Sequence, residues 1–127
     1  MVLVDANHVL RWFLRDIPAQ ASQVEELLRS SAPNSLELTS VTVAELTYVL
    51  RTMTYDHMQI VGVITGLCSL ESVRQLSMVD AKALQIFNAT TLDYEDCFLI
   101  AQALLENGDI ATFDKKLLKT LEKLQLP

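Results

Sequence analysis

Glycine, proline and cysteine are all scarce in this sequence of 127 residues: three glycines, three prolines and two cysteines. So few turn-formers argue against a collagen-like repeat, a disordered linker and a turn-rich all-β domain. Cys68 and Cys97 show no CxxC or Cys/His spacing and lie in apolar surroundings, so they read as reduced core thiols of a cytosolic protein. Half of the residues are hydrophobic, enough to fill a core without disulfides or a structural metal. Long apolar runs are also missing. The longest, residues 60–70, is too short to span a bilayer and reads as a buried helix. Asp5 interrupts the apolar start almost at once, so no signal peptide is expected and the protein is expected to be soluble and cytoplasmic. Positive charge is in short supply too, with ten Lys and Arg against sixteen Asp and Glu, for a net charge of −6. That disfavours non-specific binding of nucleic acid through a basic surface. It leaves room for an enzyme that holds a phosphodiester through metal ions, because such a site itself demands excess carboxylate.

What is present is an alternation of short apolar runs with amphipathic stretches. Val2-Leu3-Val4 predicts a first buried strand that stops at Asp5. Residues 7–14 have helical spacing at Val9, Leu10, Phe13 and Leu14. Asp16 and Pro18 open a second helix with Val24, Leu27 and Leu28 inward. Residues 36–39 predict a second strand and residues 41–53 a third helix, and Asp56 is placed to cap a fourth reaching about Leu70. Residues 72–76 are a third candidate strand, followed by helices over 79–87 and 94–107. Gly108 is placed to end the latter in a left-handed cap. Ile110-Ala111-Thr112 predicts a fourth strand. A last helix has Leu117, Leu118, Leu121 and Leu124 on one side and Lys115, Lys119 and Lys123 largely on the other. Strands separated by helices imply one α/β domain over residues 1–127, a parallel sheet with helices on both faces.

In an open parallel sheet, ligands bind beyond the carboxyl ends of the strands. Asp5 directly follows the first strand, and Asp114 comes two residues after the fourth. Glu45 and Asp96 each lie in the first turn of a predicted helix. Each acid also has a purely structural account. Asp5 and Asp114 are suited to cap helix N-termini. Thr42-Val43-Ala44-Glu45 fits a capping box, and Asp96, beside Asp93 and Glu95, suits a helix dipole. Asp80 also follows a strand and begins a helix, and is assigned capping alone. Four carboxylates converging on one point, however, would repel one another unless a cation neutralised them. Hard oxygen donors without Cys or His suit Mg²⁺ or Mn²⁺ rather than zinc, and such ions serve phosphodiester hydrolysis.

The ordered set of segments resembles the PIN-domain ribonucleases, especially the VapC-type toxins of toxin–antitoxin pairs. Val4-Asp5-Ala6-Asn7, leading into an apolar helix with Arg11, is similar to the family's opening. Thr42-Val43-Ala44-Glu45-Leu46 resembles its glutamate segment, and Leu92-Asp93-Tyr94-Glu95-Asp96 its third block. Ala111-Thr112-Phe113-Asp114 resembles its Thr-x-Asp block. The resemblance implies a three-layer α/β/α sandwich around a central parallel sheet of four or five short strands. It also implies Mg²⁺ or Mn²⁺ dependence, endonucleolytic cleavage of RNA, a homodimer and a small antitoxin protein that blocks the site. Asp5, Asp96 and Asp114 would hold the metal, and Glu45 a second ion or the attacking water. Two departures stand out: Lys116 occupies a position where the family often has a further acid, and the sequence ends at Leu126-Pro127 where a fifth strand is usual.

Asn7 and Thr112 are candidates to orient the acids, and ordinary turn and capping chemistry accounts for them equally well. Arg11, Lys115 and Lys116 are candidates to reach a phosphate, with a solvated charged face the plainer account of the lysines. His8 and His57 read as surface or packing residues, and Trp12 as core or dimer interface. The competing function is a non-catalytic PIN-like module that binds RNA or protein. A phosphoryl-transfer enzyme of another doubly wound fold ranks last, because its Asp-x-Asp signature matches Asp5-Ala6-Asn7 only faintly and leaves Glu45 and Asp96 without a role.

Overall fold

The computed structural model describes residues 1–126. Its elements run β1 (Val2–Leu3), α1 (Ala6–Leu14), α2 (Pro18–Ser30), β2 (Leu36–Glu37), α3 (Ser40–Thr52), α4 (His57–Cys68), α5 (Met78–Ala89), α6 (Tyr94–Glu106) and α7 (Lys115–Gln125). The seven helices stand where the apolar spacing predicts them, and no helix among the described residues is long and apolar enough to cross a membrane. The chain divides into two compact units, Met1–Ser77 and a second beginning at Met78.

In the first unit, β1 and β2 pair in parallel, with Val2 opposite Leu36 and Leu3 opposite Glu37. The Val2 and Val4 amides donate to the carbonyls of Ser35 and Glu37 at 2.8 and 2.9 Å. Around this pair α1 packs on α2 and α3, and α3 on α4. Val9, Leu10, Val24, Leu28, Val43, Leu46, Leu50, Ile60 and Ile64 are buried, one stripe from each helix. Asp56 caps α4 through a capping box with Gln59. Leu27, expected inward on α2, is only half-buried, while Val24 and Leu28 are buried.

The sheet is smaller than expected: two short strands, not four or five, among the described residues. The third candidate strand survives as a single parallel bridge from Val73 to Leu36, supported by Leu36 N–H to Ser72 and Arg74 N–H to Leu36 at 2.9 and 2.8 Å. The fourth, residues 110–112, forms no strand. Burial in β1 is also narrower than expected, since Val2 and Leu3 are exposed and only Val4, just beyond the strand, is buried.

In the second unit α6 packs on both α5 and α7. Phe87 meets Tyr94 edge-on, with ring centroids 6.0 Å apart, and Ile100, Ala101, Leu117 and Leu121 are among the other buried residues. The left-handed residue that ends α6 is Asn107 (φ 52°) rather than the expected Gly108. Asparagine tolerates this conformation better than most side chains, so the neighbouring glycine is not needed for it. Cys68 and Cys97 are both buried and free, and burial pushes each thiol up to about 11.

Candidate active site

Asp5 follows β1 and caps α1: its Oδ1 accepts the His8 amide at 2.8 Å and lies 3.1 Å from the His8 ring Nδ1. The amide bond is the main reason that the exposed carboxyl titrates below its ordinary range, with smaller contributions from the His8 ring and the Asn7 backbone. His8, read from sequence as a surface or packing residue, is exposed and contacts the Asp5 carboxylate, and Asn7 acts on Asp5 through its backbone. Glu45 belongs to the same unit. The expected capping box is not formed there, because α3 begins three residues before Thr42 would start it. Thr39 is its N-cap and accepts the Thr42 amide at 3.3 Å. Glu45 is left exposed in the second turn. The Thr42 hydroxyl is freed for a longer-range task and donates to the Val4 carbonyl at 3.0 Å. That buried bond ties the start of α3 to the residue preceding Asp5. Arg11 pairs with Asp16 at 3.1 Å, so its guanidinium is already engaged by a carboxylate.

In the second unit Asp96 is half-buried in the first turn of α6, and Asp114 caps α7 by accepting the Leu117 amide at 3.1 Å. Thr112 Oγ1 accepts the Asp114 amide at 3.1 Å and so fixes the backbone of that aspartate. Burial pushes the Asp96 carboxyl above its ordinary range, and the negative field of Asp114 adds to this, followed by Asp93 and Glu95. Asp96 and Asp114 thus share one field. Lys116, where the family often has an acid, donates to the Thr91 hydroxyl. It links the first turn of α7 to the loop that precedes α6.

Two residues of this unit carry more than sequence suggested. Asp80 is not merely a surface cap: it is 1 % exposed and accepts the Tyr94 hydroxyl at 2.6 Å. That bond, with burial, holds the Tyr94 phenol far above its usual range and fixes the start of α6, two residues from Asp96. Phe113 is the other, an aromatic ring fully in solvent between Thr112 and Asp114. Its only sequence signal is an apolar residue in an otherwise polar turn.

The donor chemistry of Asp96 and Asp114 suits a hard divalent cation, since two carboxylates in one field are stabilised by a shared positive charge. No group of three or more His, Cys, Asp or Glu positioned to hold a metal occurs among the described residues. Within the second unit, the fold sets these two members of the expected ligand set in one field.

The sequence profile of the PIN domain matches residues 2–123. The chain belongs to the PIN-domain family. PIN domains are generally nuclease modules, typically hydrolases that use divalent metals. Comparison with the curated proteins and with the solved structures gave no match. As a PIN domain the chain departs from expectation in its short sheet and in Lys116, but retains an acid at each of the four positions on which the resemblance rests.

Proposed function

We propose that this PIN-domain protein is a metal-dependent endoribonuclease, the toxin of a toxin–antitoxin pair, working as a cytoplasmic homodimer that a small antitoxin protein silences. The observation that carries the reading is Asp96 in the first turn of α6, its carboxyl raised by burial and then by the charge of Asp114, in a chain that matches the PIN domain from residue 2 to residue 123. Asp5, Asp96 and Asp114 are assigned to hold Mg²⁺ or Mn²⁺, with Glu45 holding a second ion or aiding the attack of water. When bound, such ions supply a water of lowered pKa and positive charge against the phosphodiester. The protein's own groups do the positioning. The His8 amide keeps Asp5 ionised, Thr112 sets the backbone of Asp114, and Asp80 with Tyr94 fixes the turn that carries Asp96.

A titration of Mg²⁺ and Mn²⁺ against wild type, Asp5→Asn and Asp96→Asn, with RNA cleavage read in the same samples, tests this. Saturable metal binding with cleavage, both lost in the variants, is the expected result. The engaged Lys116 and the lack of a three-acid group among the described residues favour the second reading, a non-catalytic module. Folded wild type that binds RNA without metal-dependent cleavage would establish that reading instead.

A further inference from the structure

Phe113 is the most exposed large apolar side chain of the described residues, at 105 % of its reference accessibility. Nothing among the described residues covers it. Leaving a phenylalanine wholly in water forgoes roughly 2 kcal/mol of burial, so the fold gains nothing from an aromatic there. Its backbone is nevertheless held on both sides. The next amide is bonded to Thr112 Oγ1, and the next carboxylate caps α7, both at 3.1 Å. A phenylalanine has only two side-chain torsions, so a partner that covers the ring pays little to order it.

The surroundings point to the partner's chemistry. Phe113 adjoins Asp114, one of the acids assigned to the hydrolytic site, and α7 begins immediately afterwards with Lys115 and Lys116. Four of the chain's five lysines lie on α7, in an otherwise acidic protein. A flat apolar face beside cations matches a nucleotide, a base to stack and a phosphate to neutralise. Duplex bases have their faces already stacked, so the ring discriminates in favour of unpaired nucleotides.

We infer that Phe113 is a stacking platform that binds an unpaired base of single-stranded RNA beside Asp114. The inference rests on the ribonuclease reading and adds to it a residue that touches the RNA. In the test, a labelled single-stranded RNA of mixed sequence and its duplex form are titrated by anisotropy against full-length Asp5→Asn protein, which prevents cleavage. The same titrations are repeated with Phe113→Ala, Phe113→Leu and Phe113→Trp added. Loss of the aromatic face should weaken single-strand binding by about tenfold, equally in the Ala and Leu variants, with Trp restoring it and duplex binding hardly moved. In the active chain Phe113→Ala should raise KM by a similar factor and leave kcat near its wild-type value. If wild type cleaves RNA and Phe113→Ala has unchanged affinity and KM, stacking is overturned and the nuclease stands. If no cleavage occurs in any RNA but the affinity pattern holds, stacking stands and the nuclease reading falls. An altered oligomeric state in Phe113→Ala with unaltered RNA affinity would assign the ring to a protein contact and overturn the inference.

Discussion

A carboxyl group pushed above its ordinary range is a site where the fold tolerates unfavourable charge. Asp96 is such a residue, raised first by burial and then by Asp114. The sign follows from linkage: with its pKa higher folded than unfolded, Asp96 favours the native state while protonated, and that benefit is lost as pH rises through the folded value. At neutral pH the charge therefore opposes folding. Asp96→Asn should accordingly raise the melting midpoint of the metal-free protein at pH 7 by up to a few degrees, the size expected of about 1 kcal/mol or less, while abolishing metal-dependent cleavage. Thermal unfolding of both proteins at pH 7 and at pH 4 checks this, since the advantage should shrink as Asp96 protonates in the wild type. A lower midpoint for the variant at pH 7 would mean that Asp96 is a structural cap and not a strained ligand. Asp5 is the opposite case. Its carboxyl is lowered by the His8 amide, so its contribution is present above the unfolded value and fades as pH falls through the folded one.

Among the elements, the start of α3 shows where local patterns stop being informative. Thr39 and Thr42 are both acceptable N-caps, three residues apart, and the Thr42–Glu45 box selects the wrong one. The choice is made by a bond across 38 residues, Thr42 Oγ1 to the Val4 carbonyl, which no local spacing encodes. Helices were legible because each repeats its apolar face over three turns or so. Strands of two residues repeat nothing, so residues 72–76 and 110–112 looked like strands by composition alone. Asn107 displaced Gly108 at the end of α6 for a similar reason: two adjacent residues could both take the left-handed position. Because Val4 adjoins Asp5, the Thr42 bond is where element packing meets the candidate site. Thr42→Val keeps the shape and removes the donor, leaving a carbonyl that is buried at Val4 without that partner. It should cost about 1–3 kcal/mol, read as a lower denaturation midpoint, and reduce cleavage as well. Thr42→Ser should restore both. Stability unchanged in Thr42→Val would show that the bond contributes nothing net.

For the whole molecule, composition gives an acidic protein, and the four candidate acids are proposed from their order along the chain. Their mutual distances are not legible in that order, because those depend on which helices pack together. On the proposed reading, in a protein of net charge −6, divalent metal is a stabiliser as well as a cofactor. An ion that binds the native state and not the unfolded one adds about 2.7 kcal/mol when present at a hundredfold its Kd. Mn²⁺ should therefore raise the melting midpoint of wild type in a saturable way, and the shift should be lost in Asp5→Asn and Asp96→Asn. Asp109→Asn, which removes an exposed acid outside the assigned set, should keep it. Asp96 must give up its proton to bind, so the Mn²⁺ shift should diminish as pH falls through the raised range of that carboxyl. General screening of charge behaves differently: sodium chloride at matched ionic strength acts on every acid and spares no variant. Equal shifts from Mn²⁺ and from sodium chloride, in all four proteins, would remove metal binding from the roles of these carboxylates. A shift from Mn²⁺ alone, absent from the two ligand variants, would mean that the excess of acid in this sequence is concentrated where an ion is held.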